Sequence, residues 1–339
     1  MSLIPSVPLP YFLSFRAMLG GGRRKGRDLP LMPKGTKQLG MNCNCMWFTL
    51  SLILALPLPM QAQDYIYETN NNTITIIQYI GSVDSVTMPS RISGLPVVSI
   101  GQHAFHCLPQ AAAHIMDARM KWVFSGCALT SITIPDSVTN IGFRAFDDCT
   151  NLTSVTIPDS VTGMGWWAFN ECTRLTNITL PNRITDIQNG VFCGCTSLKS
   201  VTIPKSVKRL REGAFWDCHN LTSVAIPDGV TSIENYVFSN TSLTNVALPN
   251  SVAAIGGKAF GDCKSLVNVT VGDGVSSIGL GAFSNCTRLA SIYFQGNAPS
   301  LGKDVFFGDN ATVYYRSGTT GWGKTFGGLP TAEWSGKLP

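Results

Sequence analysis

The residues of this chain most able to do chemistry are its 11 cysteines and 4 histidines. Seven cysteines form one column, Cys127, Cys149, Cys172, Cys195, Cys218, Cys263 and Cys286, at intervals of 22 or 23 residues with one interval of 45. Structural zinc sites draw ligands from cysteine pairs a few residues apart, so this spacing argues against that chemistry, and the close pair Cys193-x-Cys195 is a weak signal. If the period is that of a stacked repeat, neighbouring column members lie about 5 Å apart, within disulfide reach. The column instead falls on the inward face of the repeat, where free cysteine serves as a small apolar residue. The expectation is a ladder of buried, reduced thiols. Cys43 and Cys45 lie near the N-terminus, and Cys107 stands outside the column.

His103, His106 and His114 gather around Cys107 with no carboxylate or second cysteine adjoining them, so they read as a coincidental cluster rather than a metal site. His219 stands beside Cys218 in what reads as a surface turn. No serine occupies a nucleophile elbow, and no phosphate loop or paired carboxylate stands out. The expectation is a protein that is not an enzyme and carries no catalytic residue, cofactor or metal.

The elements behind the cysteine column repeat. Pro135, Pro158, Pro181, Pro204 and Pro227 are 23 residues apart, Pro249 follows after 22, and Gly272 takes the slot after another 23. Phe124, Phe146, Phe169, Phe192, Phe215, Phe238, Phe260, Phe283 and Phe306 keep the same spacing. Two columns with one period of 20–29 residues indicate a leucine-rich repeat solenoid. In the unit Leu152–Arg174, Leu152, Val155 and Ile157 alternate with polar residues and predict a short strand with those side chains inward. Pro158 cannot donate to a ladder and closes the strand. Asp159-Ser160 turns the chain, and the return arm turns Val161, Met164, Ala168, Phe169 and Cys172 inward. One unit cannot cover its own apolar faces, so such repeats come in arrays with specialised ends.

The pattern L-T-S-V-T-I-P-D-S-V-T-x-I-G-x-x-A-F-x-x-C resembles the BspA-type (treponemal-type) leucine-rich repeat of bacterial surface and secreted proteins, over residues 84–294. It departs from the commoner L-x-x-L-x-L-x-x-N-x-L form, with Pro-Asp/Asn-Ser where an Asn would stand, so no capping Asn ladder is expected. The resemblance implies a β-rich solenoid of units about 23 residues long in a curved right-handed superhelix. It also implies a binding or adhesive scaffold without catalysis, and names no partner.

Along the chain, residues 1–40 are rich in Pro, Gly and Arg, with 7 basic residues against Asp28 alone. They read as a disordered leader or an extension ahead of the true start at Met41. Removing them leaves 18 basic and 19 acidic residues, which excludes a nucleic-acid footprint. Met46–Pro59 is an apolar run of 14, too short to span a bilayer, and with the small residue Ala62 makes 41–62 a signal peptide. A mature chain from 63 without stable membrane insertion, exported to the cell surface or medium and monomeric, follows from that reading. Residues 63–105 form an N-terminal cap and first repeat, opening on a hairpin turned at Asn70-Asn71-Asn72. Residues 106–123 carry no strand motif and read as an irregular, helical segment. The repeats run over 124–294, and their strands with the one near Val86 number nine, a sheet on the order of 40 Å long. Residues 295–339 leave the period and supply a C-terminal cap, with Tyr314, Tyr315, Trp322, Phe326 and Trp334 available to cover the last repeat.

The exposed face of the strands is the expected partner surface. One outward column reads Ser131, Ser154, Asn177, Ser200, Ser223, Asn245, Asn268 and Ser291. The other reads Thr133, Thr156, Thr179, Thr202, Ala225, Ala247, Thr270 and Tyr293. These residues are small, uncharged and hydrogen-bonding. The face lacks aromatic or Arg anchors, which argues against a concentrated hot spot. Lys205, Lys208, Arg209 and Arg211 read as a solvated basic turn. The function expected is binding of a protein or other macromolecule at the cell surface. The alternatives are a structural surface or matrix protein without a discrete ligand, and a carbohydrate-binding module built on the C-terminal aromatics.

Overall fold

A computed structural model of the chain describes residues 64–106 and 128–335. The expectations for the leader, the signal peptide, Cys107, His114 and the helical segment fall outside these residues. The described chain is a β-solenoid. Each coil opens on a buried Leu and runs into a front strand whose middle residue is buried between two outward ones, as in Ser154–Thr156. Front strands stack in parallel register 22 or 23 residues apart: Ser131 faces Ser154, Asn177 faces Ser200, and Asn245 faces Asn268. The Pro that ends the strand accepts a hydrogen bond from the Val three residues on, Val161 to Pro158 at 3.1 Å and Val207 to Pro204 at 3.0 Å. That closes the turn without using the N–H that Pro lacks. Two-residue strands follow on the return arm in two parallel runs, Asn140–Ile141 with Gly163–Met164, and Asp186–Ile187 through to Ser300–Leu301.

Between the back ladder and the next Leu lies the part that locks the coils together. Tyr79, Phe105, Phe146, Phe169, Phe192, Phe215, Phe238, Phe260, Phe283 and Phe306 form one continuous ring stack, with centroids 4.9 to 5.9 Å apart. The cysteine three residues after each Phe donates its thiol to the carbonyl of the previous coil's Phe: Cys172 to Phe146 at 3.2 Å, Cys218 to Phe192 at 3.1 Å, Cys286 to Phe260 at 3.1 Å. The described cysteines are all free and buried, as the inward placement of the column predicts. Burial raises the pKa of Cys149, Cys172, Cys193 and Cys218, which keeps these thiols protonated donors and poor nucleophiles.

Where the column lacks cysteine, the rung changes. Thr241 donates to its own coil's Phe238 at 2.8 Å and meets the Cys263 sulfur at 3.3 Å. Asp309 ends the column with both carboxylate oxygens buried and without a hydrogen-bond partner among the described residues. Burial raises its pKa to about 7.

The residue two before each stacked Phe, and the residue two after each from Phe146 onward, take left-handed backbone conformations. The first set includes Arg144, Trp167, Gly190, Gly213, Tyr236, Lys258 and Gly281. Glycine enters this conformation freely, whereas a side chain there costs about 1–2 kcal/mol. A β-carbon on Gly190 would lie 2.5 Å from the Trp167 ring of the coil before it.

Two sequence expectations are corrected. Phe105 stacks directly on Phe146 at 4.9 Å, the Cys149 thiol reaches the Phe105 carbonyl, and Ser85–Thr87 pairs directly with Ser131–Thr133. No rung lies between the coils ending at Phe105 and Phe146. Phe124 and Cys127, which the period assigns to the two columns, lie outside the described residues. The front ladder also does not stop at nine strands near residue 294. It continues in parallel through Thr312–Arg316 and Leu329–Trp334, and Thr325–Phe326 adds antiparallel to the latter. Parallel pairing needs only the strand and a return path, so the ladder outlasts the sequence period.

At the ends, Tyr65–Asn70 and Thr73–Tyr79 form the expected hairpin, turned through Asn71 and Asn72 at positive φ, and Thr73–Tyr79 joins the back ladder beside Leu95–Ile100. At the other end Trp322 and Phe326 pack on Phe294 at 5.1 and 5.5 Å, and Tyr315 stacks on Trp322 at 5.3 Å.

Two outcomes follow. Gly190→Ala is expected to destabilise the chain by about 2 kcal/mol in denaturant unfolding, from the left-handed backbone and the displaced Trp167 ring. An acid whose pKa is raised on folding holds its proton more tightly in the folded state. The cost of Asp309 is therefore absent below the ordinary carboxylate range near 4 and complete above about 7. Asp309→Asn is expected to raise the melting temperature at pH 8 and leave it nearly unchanged at pH 4, by calorimetry.

Candidate functional site: the front strand face

The outward columns predicted from the sequence lie side by side on the front ladder. Thr133, Ser154, Thr156, Asn177, Thr179, Ser200, Thr202, Ser223, Ala225, Asn245 and Ala247 are exposed, and Ser131, Asn268, Thr270, Ser291 and Tyr293 are half-buried. Alternation along each strand puts one side chain of every pair outward, and the parallel register aligns each with its equivalent in the next coil. Local hydrogen bonds tie parts of the face together: Ser85 and Ser131 hydroxyls at 2.8 Å, Asn268 Nδ2 to Asn245 Oδ1 at 2.9 Å, and Asn177 Nδ2 to the Thr176 hydroxyl at 3.5 Å.

Extension of the ladder changes the character of the face at its C-terminal end. Tyr293 is in register with Tyr314, and their rings stack at 5.0 Å and 14°. Trp334 stands edge-on to Tyr293 at 6.2 Å and 86°, and Arg316 is in register with Trp334. The expectation of a face without aromatic or Arg anchors is thereby corrected. Tyr293 was legible as an outward residue. Tyr314 and Trp334 were hidden because the period breaks before them, although the inward Val313 in Thr-Val-Tyr marks Tyr314 as outward.

The other residues with chemical potential are committed to structure. The His106 ring Nδ1 lies 2.9 Å from the Asp147 carbonyl oxygen and 3.3 Å from Asp147 Oδ2. The sequence reading placed no carboxylate near this histidine. Direct stacking of the Phe105 and Phe146 coils brings Asp147 and Asp148 to it. Donor atoms of His106, Asp147 and Asp148 lie within 4.8 Å of one another, a spacing that could hold a cation. The buried Asp147 carboxylate, however, already accepts from Arg144 Nη1 at 3.1 Å and from Asn170 Nδ2 at 2.7 Å. The guanidinium supplies the positive charge a metal would bring. Burial, then the neighbouring His106, pulls the His103 pKa down. Burial, then Asp147, pushes that of Asp148 up.

The two arginines of the basic turn are paired: Arg209 and Arg211 both donate to Asp186 Oδ1, at 2.6 and 3.0 Å, and Arg211 also reaches Glu234 at 2.9 Å. His219 is exposed, its Nδ1 3.1 Å from the Asn240 carbonyl oxygen. Among the described residues no helix is long and apolar enough to cross a membrane.

The BspA type leucine rich repeat region matches in six copies over residues 120–242 and 208–314. The chain is similar to the crystal structure of a leucine rich cell surface protein from Faecalibacterium prausnitzii, with 29% identity over 76% of each chain and a TM-score of 0.57. It is also similar to a T. pallidum leucine rich repeat protein, with 27% identity, 74% of this chain and 88% of that one covered, and a TM-score of 0.38. No curated relative matches the chain. The repeat, its stacking and the extent of the match agree: the chain belongs to the BspA-type leucine-rich repeat family.

Proposed function

We propose that the chain is an exported, non-catalytic scaffold that binds a protein at the cell surface through its front strand face, with Tyr293, Tyr314, Trp334 and Arg316 as the anchor. The observation that carries this reading is the aromatic cluster at one end of an otherwise small, uncharged, extended face. Tyr, Trp and Arg provide most of the binding energy in protein interfaces, while surrounding small polar residues exclude water and add complementarity. Export is supported by the apolar run before Asp64 and by the similarity to a cell surface protein. The alternative of a carbohydrate module on the C-terminal aromatics loses part of its basis, because Tyr315, Trp322 and Phe326 pack against one another and the last coils. A surface or matrix protein without a discrete ligand remains the competing outcome.

The test has two arms. Fractionation of source cells is expected to find a chain starting near Gln63 or Asp64 outside the cytoplasm. The purified chain, screened against immobilised extracellular and surface proteins, is expected to bind at least one. Tyr314→Ala with Trp334→Ala should weaken that binding at least tenfold, about 1.4 kcal/mol, with Asn177→Ala nearly neutral. A cytoplasmic chain with an intact N-terminus would contradict export. Absence of any binding, or equal losses at Asn177 and the aromatics, would contradict the anchor.

A further inference from the structure

A second surface lies away from the front strands, on the edge where the stacked Phe residues turn the chain. The position after the stacked Phe supplies Trp216 and Ser239 to this edge. It is large at Trp216 and small at Ser239, Gly261 and Ser284 of the following coils. That change of size opens a hollow of about 340 Å³ beside the indole. Tyr236 and Lys258, from the column two residues before the Phe, form its flank, and Trp216 and Tyr236 lie 5.7 Å apart at 37°. Asp217, Asn240, Asp262 and Lys264 complete the rim.

The polar groups of the rim are balanced and held in place. Asn240 Nδ2 donates to Asp217 Oδ1 at 2.8 Å, and Asn285 Nδ2 donates to Asp262 Oδ1 at 3.0 Å. Each carboxylate is thus oriented through one oxygen, while the other retains acceptor capacity and the two lysines supply donors. Two acids and two lysines leave no net charge to select an anion or a cation. The result is an apolar aromatic wall bordered by fixed donors and acceptors, in a hollow of the size that small ligands occupy. A sugar ring has the complementary chemistry, with a C–H face for the aromatic wall and hydroxyl groups that both donate and accept at the rim.

We propose that this hollow is a saccharide subsite, which takes a pyranose unit of a neutral glycan against Trp216 and Tyr236. It is independent of the front-face reading and shares no residue with it.

Tyr236 supplies a clean test. Its backbone sits at φ 58°, the conformation that Gly213 and Gly281 take in the same column, so Tyr236→Gly removes the wall and suits the turn. The probes are cellohexaose, chitohexaose and maltohexaose, titrated into the full chain. The reporter is the Trp216 indole N–H resonance, assigned by its loss in Trp216→Phe. At least one probe is expected to shift it saturably, with a dissociation constant of about 0.1–10 mM. Tyr236→Gly should weaken binding at least tenfold with an unchanged or higher melting temperature, and Tyr314→Ala should leave binding unchanged. The proposal is overturned if none of the three shifts the resonance at about 20 mM, if Tyr236→Gly binds as the parent does, or if Tyr314→Ala weakens binding as much as Tyr236→Gly.

Discussion

Each coil is joined to the next by a Phe ring stacked on a Phe ring and a cysteine thiol donating to the carbonyl of the previous coil's Phe. The ring supplies apolar area that no single coil can cover, and the thiol adds a bond between coils to a carbonyl that already accepts its own coil's cysteine N–H, Cys149 to Phe146 at 3.3 Å. Neither works without a neighbour, so the solenoid is stable only as a stack. The ends follow from the same need. Tyr79 of the N-terminal hairpin continues the ring stack below Phe105, and Phe326 packs beyond Phe306 at 6.4 Å. Asp309 shows the rung failing, a carboxylate where the column requires a small donor.

Most of this was legible in the sequence because inward residues repeat in type as well as in position. The Phe and Cys columns, the Pro that closes each strand and the Asn-rich hairpin turn are local features, and each appears where its chemistry places it. What could not be read depends on stacking. Arg144, Trp167, Tyr236 and Lys258 take left-handed backbone conformations that nothing in their side chains favours, because the neighbouring coils dictate the turn. Counting by period placed a rung at Phe124, whereas Phe105 and Phe146 meet directly. That meeting also joins His106 to the Asp147 carbonyl, a contact between residues 41 apart.

The two surfaces arise from the same geometry. A ladder of identical strands repeats whatever its outward positions carry, so a run of Ser, Thr and Asn yields a long, even face. Its character changes only where the sequence departs from the consensus, at Tyr293 and in the two strands beyond the period. On the turn edge the departure is one of size, Trp216 followed by Ser239 and Gly261. In both places the scaffold is regular and the surface is distinguished by the exceptions.

The most direct measurement is amide hydrogen exchange across the stack after Phe238→Ala, a truncation in the middle of the ring column. The account predicts a loss of about 3–5 kcal/mol in global stability. It also predicts reduced protection on both sides, at the Phe215 amide bonded to Val237 and at the Phe260 amide bonded to Ala282. Destabilisation below about 1 kcal/mol, well under the cost of emptying a packed core site, with protection at Phe215 and Phe260 unchanged, would show that the coils are held by something other than their shared rungs.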